Sequence, residues 1–479
     1  MLPLKMEEIC LAVKGAWAAR ATSCTPYAGS ACCADSNASA VISAVTTDTR
    51  KPCPGGLFVA LRGERFDAHD FLAQAADALC VGAMIERRAA ISADVLARFP
   101  AGVIAVDDTL LALGALAKAY RQRLAGKIIS ITGSNGKTTV KRMVHHILSR
   151  RIQGIASPKS FNNNIGVPLT LLSAGGDDAY VICETGTNAP GEIATLGEIA
   201  HPDIAVITSV SQTHLEKLID IEHVASEKAS LLGSLKPGGI GIVLADNVVL
   251  TEAVKAYPVP LRRFGWDASA EYRLEGYEPT EGGGRFQMAG RWYTLAVPGR
   301  HMASNAMAAV AVAAEFGFAA TDAAEALADY RSEDMRLQVI QAGAVRIIND
   351  AYNANPASMA AGADAMASFP ASRRVLVAGD MLELGPRSQQ FHEQVGRAIA
   401  QAGVDFVIGV GKLGRQIARG SAGAGVRSCE IADIEQAVRD VPGLLHAGDV
   451  VLIKGSRGSA MERLIEPIQR AFGDGQAKR

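Results

Sequence analysis

The chain has 479 residues, 49% of them hydrophobic and 20% charged. That length suits about three domains, and the composition excludes a disordered chain. A formal net charge of −1 excludes the strong basic excess of a nucleic-acid binder. No apolar run is long enough to span a bilayer, so neither nucleic acid nor membrane is expected as a partner. The eight cysteines occur without a C-x-x-C spacing, which argues against a disulfide framework or a zinc site. The N-terminal stretch carries acids inside its apolar segment and lacks a signal-peptide core; the expectation is a cytoplasmic protein.

In chain order, residues 22–40 are small and polar and read as a surface loop or insertion containing the pair Cys32-Cys33, taken as incidental thiols. Strand and helix signals follow through "GGLFVAL" and "FLAQAADALCVGAMI". A break near Val106-Asp107-Asp108 precedes a helix, "TLLALGALAKAYRQRL". From Lys127, apolar strands alternate with helices, the pattern of a parallel α/β sheet. Strands are predicted at 127–132, 179–183, 203–209 and 240–245, antiparallel hairpins over 272–297, and an Ala-rich helix over 302–316. A second α/β series has strands at 345–350, 374–378, 405–410 and 449–454. The expected fold is α/β in three domains: an N-terminal α/β domain (1–106), a central phosphate-loop, parallel-sheet domain (107–334) and a Rossmann-like C-terminal domain (335–479).

The stretch "ITGSNGKTT" lies between a strand and a helix, the setting a phosphate-binding loop requires, although only two residues separate Gly133 from Gly136. Its backbone N–H groups and helix N-terminus would face phosphates. Lys137 would neutralise them, and Thr138 offers a hydroxyl to magnesium. Glu184 ends the strand "AYVIC", and His214 follows "DIAVITS". Both therefore fall past carboxyl ends of the sheet, where open α/β folds place ligands. Lys228 falls on the apolar stripe of "DIEHVASEKASLLGSL". It is either a snorkelling lysine or an amine whose pKa is lowered by burial.

The motifs "TGSNGKTT", "SFNNNIGVPLTLL", "ETGTNAPGEI" and "HMASNAMAAVAVA" resemble the ATP-dependent Mur ligase family, whose phosphate loop is of this shortened kind. The N-terminal "TTDTRKPCPGGLFVALRGERFDAHDF" and the C-terminal "NDAYNANPASM", "VAGDMLELG" and "KGSRGSAMERLI" extend the likeness over nearly the whole chain. The resemblance implies the branch that adds D-alanyl-D-alanine to UDP-N-acetylmuramoyl-tripeptide in peptidoglycan synthesis; a monomer is expected. ATP would be held by the loop from Thr132 through Gly133, Ser134, Asn135, Gly136, Lys137 and Thr138 to Thr139. Asn305 would contact adenine, Arg336 the phosphates and Asp350 the ribose. Thr138, Glu184, His214 and a CO₂-derived carbamate on Lys228 would hold Mg²⁺, with Lys137, Glu184, His214 and Lys228 forming the catalytic set. Asp48, Thr49, Arg50, Arg62 and Gly63 would receive the UDP-sugar. Asn162, Asn163 and Asn164 would face the substrate, and Asn353 and Asn355 the incoming dipeptide.

The implied chemistry is attack by a peptide carboxylate on the γ-phosphorus of ATP, then by an amine on the acyl phosphate. A relative adding the third amino acid is the nearest alternative, but its Asp-Asn-Pro-Arg motif is replaced here by "NANPASM". A folylpolyglutamate-synthase-like ligase would lack a substantial domain before the loop, and a GTPase switch would need an N-K-x-D that is absent. "SEDMRLQVI" also lacks the Pro-Gly that often precedes the family's arginine.

Overall fold

The computed structural model describes residues 1–19 and 41–473; the predicted insertion at 22–40, with its three cysteines, lies outside them. The described residues form three α/β layers, each around its own sheet. The N-terminal sheet runs, in spatial order, Ala16–Ala19, Gly102–Val106, Cys80–Glu86, Gly56–Val59 and Ala44–Thr46, the first strand antiparallel to its neighbour and the rest parallel. Asp108 then caps the helix Thr109–Arg121 by accepting from the N–H groups of Leu110 and Leu111. That helix joins two layers. Leu113 and Leu116 share one apolar core with Met6 and Ile9 on one side and with Val167, Leu171 and Leu196 on the other.

The central sheet has seven strands, all parallel, in the order Tyr272–Arg273, Leu261–Gly265, Ile240–Leu244, Ile204–Ile207, Lys127–Thr132, Tyr180–Glu184 and Gly154–Ala156. Helices cover both faces, so the inner strands are buried end to end and read as unbroken apolar runs rather than alternating ones. Register decides what meets at the carboxyl edge. Glu184 pairs with Ile131 and Ile207 with Thr132, so the glycine loop, Glu184 and the segment after Ile207 emerge side by side. The Ala-rich helix Arg300–Ala314 packs against the loop helix Lys137–Leu148, its alanines buried in the same core as Val140, Met143 and Ile147.

The hairpins expected over 272–297 begin later. Tyr272–Arg273 is instead the parallel edge of the central sheet, and only Gly276–Thr280, Gly283–Met288 and Arg291–Leu295 form the antiparallel unit. The C-terminal sheet runs Gln338–Ala342, Val345–Asp350, Asp449–Lys454, Arg373–Ala378, Phe406–Val410 and Arg427–Ile431, with only the first strand antiparallel. Among the described residues no helix is long and apolar enough to cross a membrane.

Candidate functional site

A cleft of about 820 Å³ opens where the carboxyl edge of the central sheet faces the C-terminal sheet, and Leu110 lines it from the linker helix. Its floor is the glycine loop. Gly133 and Gly136 adopt φ of 147° and 83°, a backbone that favours glycine. A β-carbon on Gly136 would also collide with the Asn305 side chain. Thus the residue expected at adenine presses directly on the loop. The Lys137 ammonium turns back to the Gly133 carbonyl at 2.6 Å. Burial lowers its pKa against the pull of Glu184, and Arg336 lowers it further.

Glu184 is the hub. It is 1% exposed and accepts from the Thr138 hydroxyl at 2.9 Å and from the Asn162 amide at 3.1 Å. The Lys141 ammonium lies 3.1 Å away. Burial alone would raise the Glu184 carboxyl, but Lys141, Lys137, Arg336 and the Thr138 hydroxyl together hold it below its usual value. Arg336, from the far side of the cleft, donates to the Thr138 hydroxyl at 3.0 Å and stacks on the Tyr352 ring, 4.0 Å from its centroid.

Asp350 and Lys454 end adjacent parallel strands in register, and their ion pair at 2.5 Å follows from that. The other Asp350 oxygen accepts from the Leu337 N–H at 3.1 Å. His301, at the start of the Ala-rich helix, lines the same corner; burial pushes its pKa down to about 4, against Asp350 and with Lys454. Asn355 and Asn135 exchange amide hydrogen bonds across the cleft at 2.7 and 3.3 Å. Asn163, Asn164, Asn353 and Thr139 also line it, as does Ser134. Asn163 is occupied locally, accepting from the N–H groups of Ile165 and Gly166, whereas the buried Asn164 carbonyl oxygen has no hydrogen-bond partner among the described residues.

His214 lines the cleft and meets Glu383 of the C-terminal domain at 2.5 Å. Lys228, on the helix Ile221–Ala229, does not line the cleft; it is 2% exposed, so its amine does not reach solvent as a snorkelling lysine would. The neighbouring Glu227 carboxylate is committed to the N–H groups of Gly191 and Ile193, at 2.8 Å each. Burial, reinforced by Lys137 and opposed by Glu227, lowers the Lys228 pKa to about 7.

Of the residues expected to act, the structure brings the loop, Glu184, His214, Asn305, Arg336 and Asp350 to one cleft, with the asparagines around it. Asp48, Thr49, Arg50, Arg62 and Gly63 do not line it. They follow neighbouring parallel strands at one edge of the N-terminal sheet. There Arg50 pairs with Asp48, and Arg62 with Asp67 and Glu86. Lys141, His301, Glu383 and Lys454 were not singled out from sequence. Lys141 had a signal, since it falls one helical turn after Lys137 and so on the same face. The others sit inside motifs whose partners are distant in the chain.

The Mur ligase middle domain matches residues 131–313, and the Mur ligase glutamate ligase domain matches residues 335–457. The UDP-N-acetylmuramoyl-tripeptide–D-alanyl-D-alanine ligase of Bacillus subtilis is 38% identical over 89% of this chain and 93% of its own length. That of Escherichia coli is 36% identical over 89% and 94%. A crystal structure of MurF from Acinetobacter baumannii superposes with a TM-score of 0.84 at 30% identity, covering 98% of this chain and 99% of that one. The Thermotoga maritima MurF ligase in complex with ADP gives 0.78 at 26% identity, over 90% and 98%.

Proposed function

The chain belongs to the Mur ligase family, and from that premise we propose that it joins D-alanyl-D-alanine to UDP-N-acetylmuramoyl-tripeptide at the expense of ATP, as a cytoplasmic monomer contributing to peptidoglycan. The observation that carries this reading is the Arg336–Thr138 hydrogen bond, which ties the phosphate loop to the opposite sheet in one cleft. The domains are taken as 1–106 for the UDP-substrate, 107–334 for ATP and 335–479 for the incoming dipeptide.

The chemistry follows from charge. A peptide carboxylate and the γ-phosphate repel, so the reaction needs fixed positive charge around the transferring group. Lys137 and Arg336 supply it from two sides, and the loop N–H groups add their dipoles. The carboxylate takes the γ-phosphoryl group and ADP leaves, giving an acyl phosphate, and the dipeptide amine displaces phosphate from it to form the amide. Asn353 and Asn355 stand on the side from which that amine would come. Closure of the cleft keeps water from the acyl phosphate. Asn305 and Asp350 are assigned to adenine and ribose, and the latter requires Asp350 to share its oxygens with Lys454. The N-terminal edge bearing Asp48, Thr49, Arg50, Arg62 and Gly63 is assigned to the UDP-sugar, with Asn162, Asn163 and Asn164 nearer the tripeptide.

The donors present suit a magnesium ion: a carboxylate and a hydroxyl 2.9 Å apart at Glu184 and Thr138 are hard oxygen ligands, and Mg²⁺ takes few protein groups when phosphates supply the rest. His214 offers a nitrogen, and Lys228 a buried amine able to take up CO₂ as a carbamate. Held by these residues, Mg²⁺ would supply positive charge that offsets the negative charge of the phosphates.

The test is phosphate release by purified protein with ATP and UDP-muramoyl-tripeptide, with and without dipeptide. The expected result is release that needs both acceptor and amine, with D-alanyl-D-alanine preferred over single amino acids. Release independent of the amine, or a preference for a diamino acid on a dipeptide acceptor, would overturn it.

A further inference from the structure

His214 has a partner that the chemistry above does not use. Its Nδ1 lies 2.5 Å from a carboxylate oxygen of Glu383, which comes from the loop after strand Arg373–Ala378 of the C-terminal sheet. Both residues have left-handed backbones, with φ of 56° and 63°, a conformation that non-glycine residues hold only when their surroundings impose it. The two turns also pack together, since the Gly385 β-position lies 3.7 Å from the Glu216 nitrogen. The side chains meet in the cleft wall, across 169 positions of sequence.

A carboxylate can only accept a hydrogen bond. With Glu383 on Nδ1, that nitrogen carries the proton, and Nε2 of a neutral ring keeps its lone pair. An imidazole that binds a metal is commonly fixed this way, by a carboxylate on its other nitrogen. Here the carboxylate belongs to a different domain from the histidine.

We infer that Glu383 is a positioning residue, which sets the tautomer and angle of His214 and so completes the cation site only when the C-terminal domain is docked on the central one. The inference rests on the reading of His214 as a metal ligand. Glu383 itself is 55% exposed at its side chain, so its removal opens no cavity and strands no buried charge. An effect on the cation would therefore report on His214 rather than on folding.

The experiment uses the full chain with ADP, and Mn²⁺ in place of Mg²⁺, its binding followed by electron paramagnetic resonance. Glu383→Ala should weaken Mn²⁺ by about 10- to 100-fold, the usual cost of losing such a partner. Thermal unfolding should stay as in the parent. Glu383→Gln should recover most of the affinity, because its amide oxygen still accepts from Nδ1. In metal-free protein labelled with ¹⁵N-histidine, His214 should show the Nδ1-protonated tautomer, and the Glu383→Ala variant a mixture. The inference is overturned if Glu383→Ala binds Mn²⁺ as the parent does while His214→Ala does not, or if the tautomer is unchanged. Parent-like Mn²⁺ binding by His214→Ala would instead bring down the metal-ligand reading, leaving the tautomer measurement to decide the positioning role alone.

Discussion

At Lys228 a lysine is buried with its neighbouring carboxylate committed elsewhere, and an uncompensated ammonium there would be costly. Its pKa near 7 leaves a substantial fraction as free amine at neutral pH, the form that can add CO₂. The product is an anion with oxygen acceptors in place of a cation. Lys228→Ala should therefore be nearly inactive, and acetate or formate should restore part of the phosphate release by filling the vacated space. Lys228→Arg should not respond, because the guanidinium fills that space and keeps the wrong charge. Parent-like activity in Lys228→Ala, without added acid, would refute the role. Lys137 makes the contrasting case. Its side chain is half-buried and folded back on Gly133. Lys137→Ala removes a partly desolvated cation, so thermal stability should hold or rise slightly. Phosphate release should fall by about 100- to 1000-fold, the scale of losing one group that stabilises transition-state charge. An unchanged rate would contradict the loop's assignment.

Among the elements, the Ala-rich helix Arg300–Ala314 touches the most functions, with His301 in the Asp350–Lys454 corner and Asn305 against the loop. His301 titrates near 4 when folded and near 6.5 as an ordinary histidine. Above pH 6.5 it is neutral in both states, and its full contribution to stability is present. As pH falls from 6.5 toward 4, the unfolded chain takes up a proton that the folded one refuses. Stability then drops by up to about 1.4 kcal/mol per pH unit from this group. Urea unfolding at pH 7, 6, 5 and 4.5 should show His301→Asn losing less stability over that window than the parent; parallel curves would disprove the burial of a neutral ring. What the sequence made legible at this scale follows from packing. Strands such as Lys127–Thr132 and Asp449–Lys454 are covered on both faces and stand out as apolar runs. Gly154–Ala156 and Tyr272–Arg273 are too short to do so, and Gln338–Ala342, an edge strand, is only partly buried. The glycine loop and Glu184 were legible because strand, loop and helix are contiguous and register carries Glu184 to the same edge. Arg336, Asn305 and Asp350 came only through resemblance. The Glu184–Lys141, His214–Glu383 and Asp350–Lys454 pairs join side chains from different elements, and local pattern holds no trace of such pairings.

For the whole molecule, the central question is what holds the C-terminal layer against the phosphate loop. Two polar contacts flank the Arg336–Thr138 bond: His214 with Glu383, and Asn135 with Asn355. The second is reciprocal, each amide donating to the other's oxygen, and it sits on the loop itself. Asn355 has another duty, since its side-chain oxygen accepts from the Ser358 N–H at 2.9 Å and caps the helix Pro356–Met366. Replacing it by alanine would remove cap and bridge together, and the cap alone is worth about 1 kcal/mol. Serine separates the two roles. It caps about as well as asparagine, yet its hydroxyl is too short to span to Asn135. Asn355→Ser should thus unfold within roughly 0.5 kcal/mol of the parent. With fluorophores on the central and C-terminal layers, it should populate wider separations, and phosphate release should fall with it. Asn135→Ala should reproduce the wider separations, and adding it to Asn355→Ser should widen them no further, because the two residues act through one contact. If both variants keep the parent's distance distribution, docking is set by the other contacts, and the amide pair only lines the cleft.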